Sequence, residues 1–226
     1  MTEKNAFIEG QKMSEQDSLL AQLDRYWQCF ACGRIIDDPN LAKALETAGG
    51  GWGVMIPCPK CGTKMSKGKF PGARFRPLFE MMVECSQLER AILVLILAQT
   101  AFESMLDGFL WRLLDNMNCP EDIALAITDR LYSVDAKVRF VESLTGKQIR
   151  KITRDIGFRN IMKEFNEVRT KRNSFLHTAT VEKDLTQDDI TMALKFACAT
   201  VDLYAALFSK YREQRPLIEH DEDHPL

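Results

Sequence analysis

The spacing of apolar residues changes character near residue 80. Beyond it, apolar positions recur at three- and four-residue steps almost to the end, the period of helices with one face turned to a core. Leu88, Ala91, Ile92, Leu95, Leu97, Ala98, Phe102, Met105, Leu106, Phe109, Leu110, Leu113 and Leu114 describe one helix of about 30 residues, roughly 45 Å at 1.5 Å per residue. It is apolar on more than one face, which predicts a helix central to a bundle or to a dimer.

Shorter helices follow, with legible ends. Pro120 opens a helix over 121–131 at its first turn, Ser133 caps one over 134–144 that Gly146 closes, and a helix over 148–156 stops at Gly157. The stripe Phe158, Ile161, Met162, Phe165, Val168, Phe175 and Leu176 predicts another amphipathic helix. Where its next apolar residue is due stands an arginine, Arg172, a charge that needs a partner or a purpose. Thr186 with Asp189 resembles a capping box for a last helix reaching about 212, whose core face is Ile190, Leu194, Ala197, Val201, Leu203, Tyr204 and Leu207. No strand pattern appears after residue 80. The expected fold class is therefore mostly α, with an all-α bundle of about five or six helices over 86–212.

The first 80 residues carry different information. Residues 1–26 read as a polar leader, with Ser14-Glu15-Gln16-Asp17 as an N-cap before Leu19, Leu20 and Leu23. Two CxxCG units follow, Cys29-Phe30-Ala31-Cys32-Gly33 and Cys58-Pro59-Lys60-Cys61-Gly62, separated by 25 residues. Each CxxC turns back so that both sulfurs face one point, the glycine permits the tight backbone, and two such knuckles complete a tetrahedral four-thiolate site for Zn2+. The segment resembles a zinc ribbon over 27–70, with Cys29, Cys32, Cys58 and Cys61 as ligands. Between the knuckles, residues 38–46 look like a short helix and Gly49 to Gly53 like a flexible loop. Four thiolates leave no open position for water and no histidine lies nearby, so the metal is expected to be structural. Residues 71–85 read as a linker and 213–226 as an acidic, disordered tail.

Composition bounds what such a chain does. A length of 226 residues with 46% hydrophobic content supports one ordinary domain plus something small. Thirty Lys and Arg against 32 Asp and Glu give a net charge of −2, which excludes a protein that coats nucleic acid by bulk charge. The N-terminus lacks the pattern of a signal peptide, and the longest unbroken apolar run, residues 91–98, is far short of a bilayer span. Seven cysteines, an odd number, argue for reduced thiols and metal ligation over a disulfide framework. The expected location is the cytoplasm, without a membrane partner. Cys85, Cys119 and Cys198 are expected in core or partly buried positions.

Local charge departs from that balance twice. Lys60, Lys64, Lys67, Lys69, Arg74 and Arg76 follow one another with no acid between, interleaved with Phe70 and Phe75. Such a run can track a phosphate backbone or be a solvated connection. Between residues 137 and 172 there are eleven Lys or Arg and four Asp or Glu, so 11 minus 4 leaves +7. Positive charge is thus concentrated beside Arg172, with Arg169 and Lys171 as further candidates for RNA contact.

Arg172 and His177 together suggest a chemistry. A histidine can take the proton of a ribose 2′-hydroxyl or give one to a leaving 5′-oxygen. An arginine offers a fixed fork of donors to a phosphate whose charge grows in the transition state. Five residues apart on a helix, the two side chains diverge by about 140°, so they share a phosphate only where the helix ends or where two copies meet. An Arg-Asn-x-x-x-His run late in a helical bundle resembles the HEPN superfamily, here over 86–212. The resemblance implies metal-independent endoribonuclease activity at a composite site in a homodimer, with Arg172, Asn173 and His177 matching the motif and Glu103 as the supporting acid. It also suggests a role in toxin or antiphage systems. Members controlled by a nucleotidyltransferase often carry a tyrosine two residues after the histidine, and Ala179 stands there, so that control is not expected.

The spacing alone says little. Arg215 and His220 in the tail repeat it without a helix pattern. Structural roles also account for the same residues: an ion pair of Arg172 with Glu103 or Glu142, and His177 stabilised by a helix C-terminus. The alternative function class is a non-catalytic adaptor or nucleic-acid-binding protein that dimerises through the bundle. The RNA target and any regulatory protein partner are not written in the sequence.

Overall fold

The computed structural model describes residues 19–20, 25–29, 32–37, 56–65, 67–70, 75–178 and 185–212. Among them the chain is mostly α, with a four-cysteine cluster near the N-terminus. Five short strands come first: β1 Tyr26–Cys29, β2 Ile35–Asp37, β3 Ile56–Pro57, β4 Lys64–Met65 and β5 Lys67–Phe70. Seven helices follow: α1 Arg76–Gln87, α2 Ala91–Asn116, α3 Glu121–Thr128, α4 Val134–Thr145, α5 Ile149–Asp155, α6 Ile161–Thr178 and α7 Gln187–Arg212. The predicted helix over 38–46 and the acidic tail lie outside the described residues, as does most of the leader.

The long apolar stretch forms one helix, α2, as the sequence suggests, but it opens at Ala91, and a separate helix that the sequence did not suggest precedes it. The residues read as a linker over 71–85 carry most of α1, which opens with Pro77 in its first turn and buries Phe79, Met82 and Val83. The chain then breaks at Glu89, whose φ of 57° lies in the left-handed region. The Arg90 N–H reaches back to the Cys85 carbonyl at 2.9 Å to close the turn. A glycine would mark such a turn; glutamate does not.

Other ends fall where the sequence places them. Ser133 Oγ accepts from the Ala136 N–H at 3.1 Å, and Gly146 closes α4 with φ 64°. At the start of α7 the Thr186 N–H donates to Asp189 Oδ2 at 2.7 Å, the reciprocal half of a capping box. α3 stops at Thr128, three residues before the expected end.

α2 is the centre of the bundle, packed by α1, α3, α4, α6 and α7. Its buried residues include Phe102, Met105, Leu106, Phe109 and Leu110, consistent with a helix apolar on several faces. Phe102 lies against Phe196, Arg112 against the Phe208 ring, and Phe109 against Tyr211. From Phe102–Phe196 through Gly108–Tyr204 to Arg112–Phe208 the numbers rise together along both helices, so α2 and α7 run parallel. Gly108 permits their approach, because a Cβ there would collide with the Tyr204 ring and hydroxyl. α6 runs the opposite way. Phe165 stacks on Phe102 with centroids 4.6 Å apart, while Lys171, further along α6, pairs with Asp189 at the start of α7.

The cysteine unit is docked on this bundle. β2, β1 and β5 form an antiparallel sheet and β3 pairs with β4. Side chains of a strand alternate between faces, and β1 uses both. Tyr26 joins the bundle core and donates its hydroxyl to Asp202 of α7 at 2.6 Å, while Trp27 and Cys29 join a separate small core with Ile36 and Cys58. Burial, then the bond to Asp202, push the Tyr26 phenol well above its ordinary range. By length and composition α2 and α7 could each cross a membrane; in this fold 56% and 61% of their apolar windows are buried inside the protein.

Candidate functional site

Two places in the fold carry chemistry. The first is built by two tight hairpins. The Cys29 N–H donates to the Arg34 carbonyl at 3.1 Å and the Cys58 N–H to the Thr63 carbonyl at 3.0 Å, closing each CxxC turn. Gly33 and Gly62, with φ of 57° and 74°, occupy the left-handed region that the turns demand. The four Sγ atoms of Cys29, Cys32, Cys58 and Cys61 lie within 4.8 Å of one another, and Cys32 and Cys58 are 3.9 Å apart. A tetrahedron of thiolates around a metal at about 2.3 Å puts sulfurs roughly 3.8 Å apart. The residues therefore fit a metal ion with four soft ligands.

Burial within the cluster is graded. Cys29 and Cys58 are buried, Cys32 is half-buried and Cys61 is exposed. Hydrogen bonds from Thr63 lower the Cys61 thiol to about 6, whereas burial pushes Cys32 up to about 12. The surrounding core of Trp27, Cys29, Ile36 and Cys58 is too small to hold the hairpins by apolar burial alone. Docking on the bundle supplies part of the rest, and a metal held by the four sulfurs would supply the remainder. Cys85, Cys119 and Cys198 are all partly buried.

The second place is the polar seam between α2, α4 and α6. Arg172 stands seven residues after Phe165, about 20° from it around the helix. It therefore continues the face that Phe165 turns toward α2 and α7, and it is half-buried there. Its guanidinium donates to Asn173 Oδ1 at 3.0 Å. Because α6 opposes α2, this end of α6 lies toward the N-terminal half of α2, where Glu103 stands half-buried. His177 belongs to the same helix, so the divergence of about 140° from Arg172 holds for one chain; its side chain is outside the described residues.

Glu103 does not reach Arg172 among the described residues. It accepts from Gln99 Nε2 at 2.8 Å, and its charge acts on Arg169. Glu142 caps α5 instead, accepting from the Ile149 N–H at 2.8 Å. Neither acid is therefore an ion-pair partner of Arg172 in this structure. Arg169 forms a two-pronged pair with Asp135 at 3.0 and 3.1 Å, which holds the Asp135 carboxyl below its ordinary range and raises the guanidinium further. Lys171 pairs with Asp189 at 2.9 Å. Two of the residues expected to contact RNA thus form ion pairs within the chain, each with its cation exposed at the surface. Of the others, Lys60 is exposed, Arg76 pairs with Glu80 at 3.5 Å, and Lys64, Lys67 and Lys69 stand in β4 and β5, with Lys67 opposite Cys29. Arg74 lies outside the described residues.

Sequence reasoning missed Gln99, Asp107 and Asp135. Gln99, Glu103 and Asp107 are spaced i, i+4, i+8 on one side of α2, a polar line that periodicity could have exposed. Asp107 pairs with Lys137 of α4 at 2.8 Å. Gln99 is 7% exposed, and its Oε1 has no hydrogen-bond partner among the described residues, an arrangement that costs about 1–3 kcal/mol. At the other end of α2, a cavity of about 360 Å³ is lined by Trp111, Arg112, Asp115, Cys119 and Phe208 among others. It takes in none of the expected site residues.

Comparison with known proteins adds no relative: no protein-family model matches the chain, and neither a curated protein nor a solved structure matches it.

Proposed function

We propose that the protein is a metal-independent endoribonuclease of HEPN type, acting in the cytoplasm as a homodimer with a zinc ribbon docked on the nuclease bundle. The observation that carries this reading is Arg172, a half-buried arginine that continues the core face of α6 and is bonded to Asn173 on the helix that also bears His177. In this reading His177 moves the proton between the 2′-hydroxyl and the leaving 5′-oxygen. Arg172 binds the scissile phosphate as its charge grows, Asn173 orients Arg172, and Glu103 sets the charge behind them. The 2′-oxygen attacks phosphorus, the 5′-oxygen leaves, and a cyclic phosphate remains. The divergence of Arg172 and His177 on one helix favours a site completed by a second copy. A role in toxin or antiphage systems follows from the resemblance alone.

The test is RNA cleavage in EDTA by wild type, Arg172→Ala and His177→Ala, with folding checked by circular dichroism. Wild-type cleavage falling by at least about 100-fold in both variants is expected. Equal cleavage by all three would sink the assignment. The engagement of Arg169 and Lys171 in ion pairs favours a second reading, a non-catalytic adaptor that holds a nucleic acid or protein through the zinc ribbon and its exposed Lys60. That reading predicts intact RNA retained at low salt and released steeply as salt rises.

A further inference from the structure

We infer that Gln99 is a positioning residue of the proposed site, acting through Glu103; the inference rests on the ribonuclease reading. Three observations converge on it. The Gln99 amide donates to Glu103 Oε1 at 2.8 Å, one helical turn away. Its side chain is buried, at 7% exposure, on a helix that also buries Leu95, Ala98 and Phe102. Its carbonyl oxygen has no partner among the described residues. The donor assignment is fixed by chemistry, because only the NH₂ end of the amide can face the Glu103 carboxylate oxygen.

A buried amide satisfied on one side only is retained against a packing preference for leucine or methionine at that position. Its donor half restrains one oxygen of the Glu103 carboxylate, whose charge acts on Arg169 of α6. Its acceptor half lies on the stretch of α2 toward which the Arg172 end of α6 runs. Gln99 thus sets both where the acid points and what the assembled site has to accept from a guanidinium. It touches no substrate atom in this scheme.

The experiment is a double-mutant cycle on RNA cleavage with Gln99→Met, Glu103→Ala and the double variant, with Tm measured on each. Methionine keeps the length of the side chain and removes both amide groups, so packing is preserved. The expected result is a kcat lowered about tenfold for Gln99→Met, an unchanged KM, a Tm equal to or above wild type, and no further loss when Gln99→Met is added to Glu103→Ala. If wild type cleaves and Gln99→Met cleaves equally well, the inference falls and the ribonuclease reading stands. A loss in Gln99→Met that is accompanied by a lower Tm, or that adds fully to Glu103→Ala, overturns the positioning role in favour of a packing one. Absence of cleavage by wild type removes the ribonuclease reading and this inference with it.

Discussion

The cysteine unit and the helical bundle sit against each other in one chain and are held by opposite means. The unit has a core of Trp27, Cys29, Ile36 and Cys58 and strands of two to four residues, so its order depends on four sulfurs converging within 4.8 Å. The bundle buries five phenylalanines at under 2% exposure, among them Phe79, Phe102, Phe109, Phe165 and Phe196, and holds itself by apolar packing. Chemistry at a point replaces volume in one; volume makes point chemistry dispensable in the other.

The largest test of that contrast removes a ligand. Cys58→Ser should abolish metal binding and melt the hairpins, a loss on the order of 10 kcal/mol of metal-linked folding energy, while the helical circular dichroism of the bundle persists. Metal content per chain and proteolysis between the knuckles report the first part. A bundle that unfolds together with the hairpins would show that the two regions share one transition.

A smaller perturbation addresses the bundle alone. Gly108→Ala places a methyl group against Tyr204, at a contact between α2 and α7. Overpacking of this kind costs about 1–3 kcal/mol, to be seen as a lower denaturation midpoint with metal content unchanged. Equal stability would mean that the helices separate without cost.

The smallest effect is electrostatic. Burial raises the Asp189 carboxyl, but the Thr186 N–H, Lys171 and the Thr186 hydroxyl outweigh it, so its folded value lies below the ordinary one. A depressed acid stabilises the fold above its unfolded value of about 3.9 and loses that contribution as pH falls through the folded value. Asp189→Asn should therefore lower the free energy of unfolding at pH 7 by about 0.5–2 kcal/mol, as for a lost cap, and narrow its gap to wild type below pH 3. A gap that stays constant from pH 7 to pH 2 would contradict this.

The same contrast explains what the sequence let one see. Paired CxxCG spacing is local, and so are the Ser133 and Thr186 caps and the Gly146 and Gly157 stops; each was visible in a few residues. The turn at Glu89 was not, because no glycine or proline announces a left-handed residue there. The strands were not, because two to four residues give alternation no room to register. The charge excess over 137–172 could not reveal that Arg169 and Lys171 face Asp135 and Asp189, since ion pairs across 34 and 18 positions are a property of packing. Arg172 was visible as a break in an apolar stripe, and the fold keeps it half-buried on that face.

β1 deserves a last reading in terms of cooperativity. Its odd and even residues belong to different cores, with Tyr26 bonded to Asp202 of α7 and Trp27 packed beside the ligands. A strand shared in this way lets the hairpins melt only by giving up the Tyr26–Asp202 bond to α7, a local loss that the apolar core of the bundle outlasts. Trimming the chain at residue 70 to isolate the helical bundle would remove the Tyr26 hydroxyl that Asp202 of α7 accepts from. Loss of metal from the sulfurs would likewise be felt along α7, the helix whose first turn meets the Arg172 end of α6.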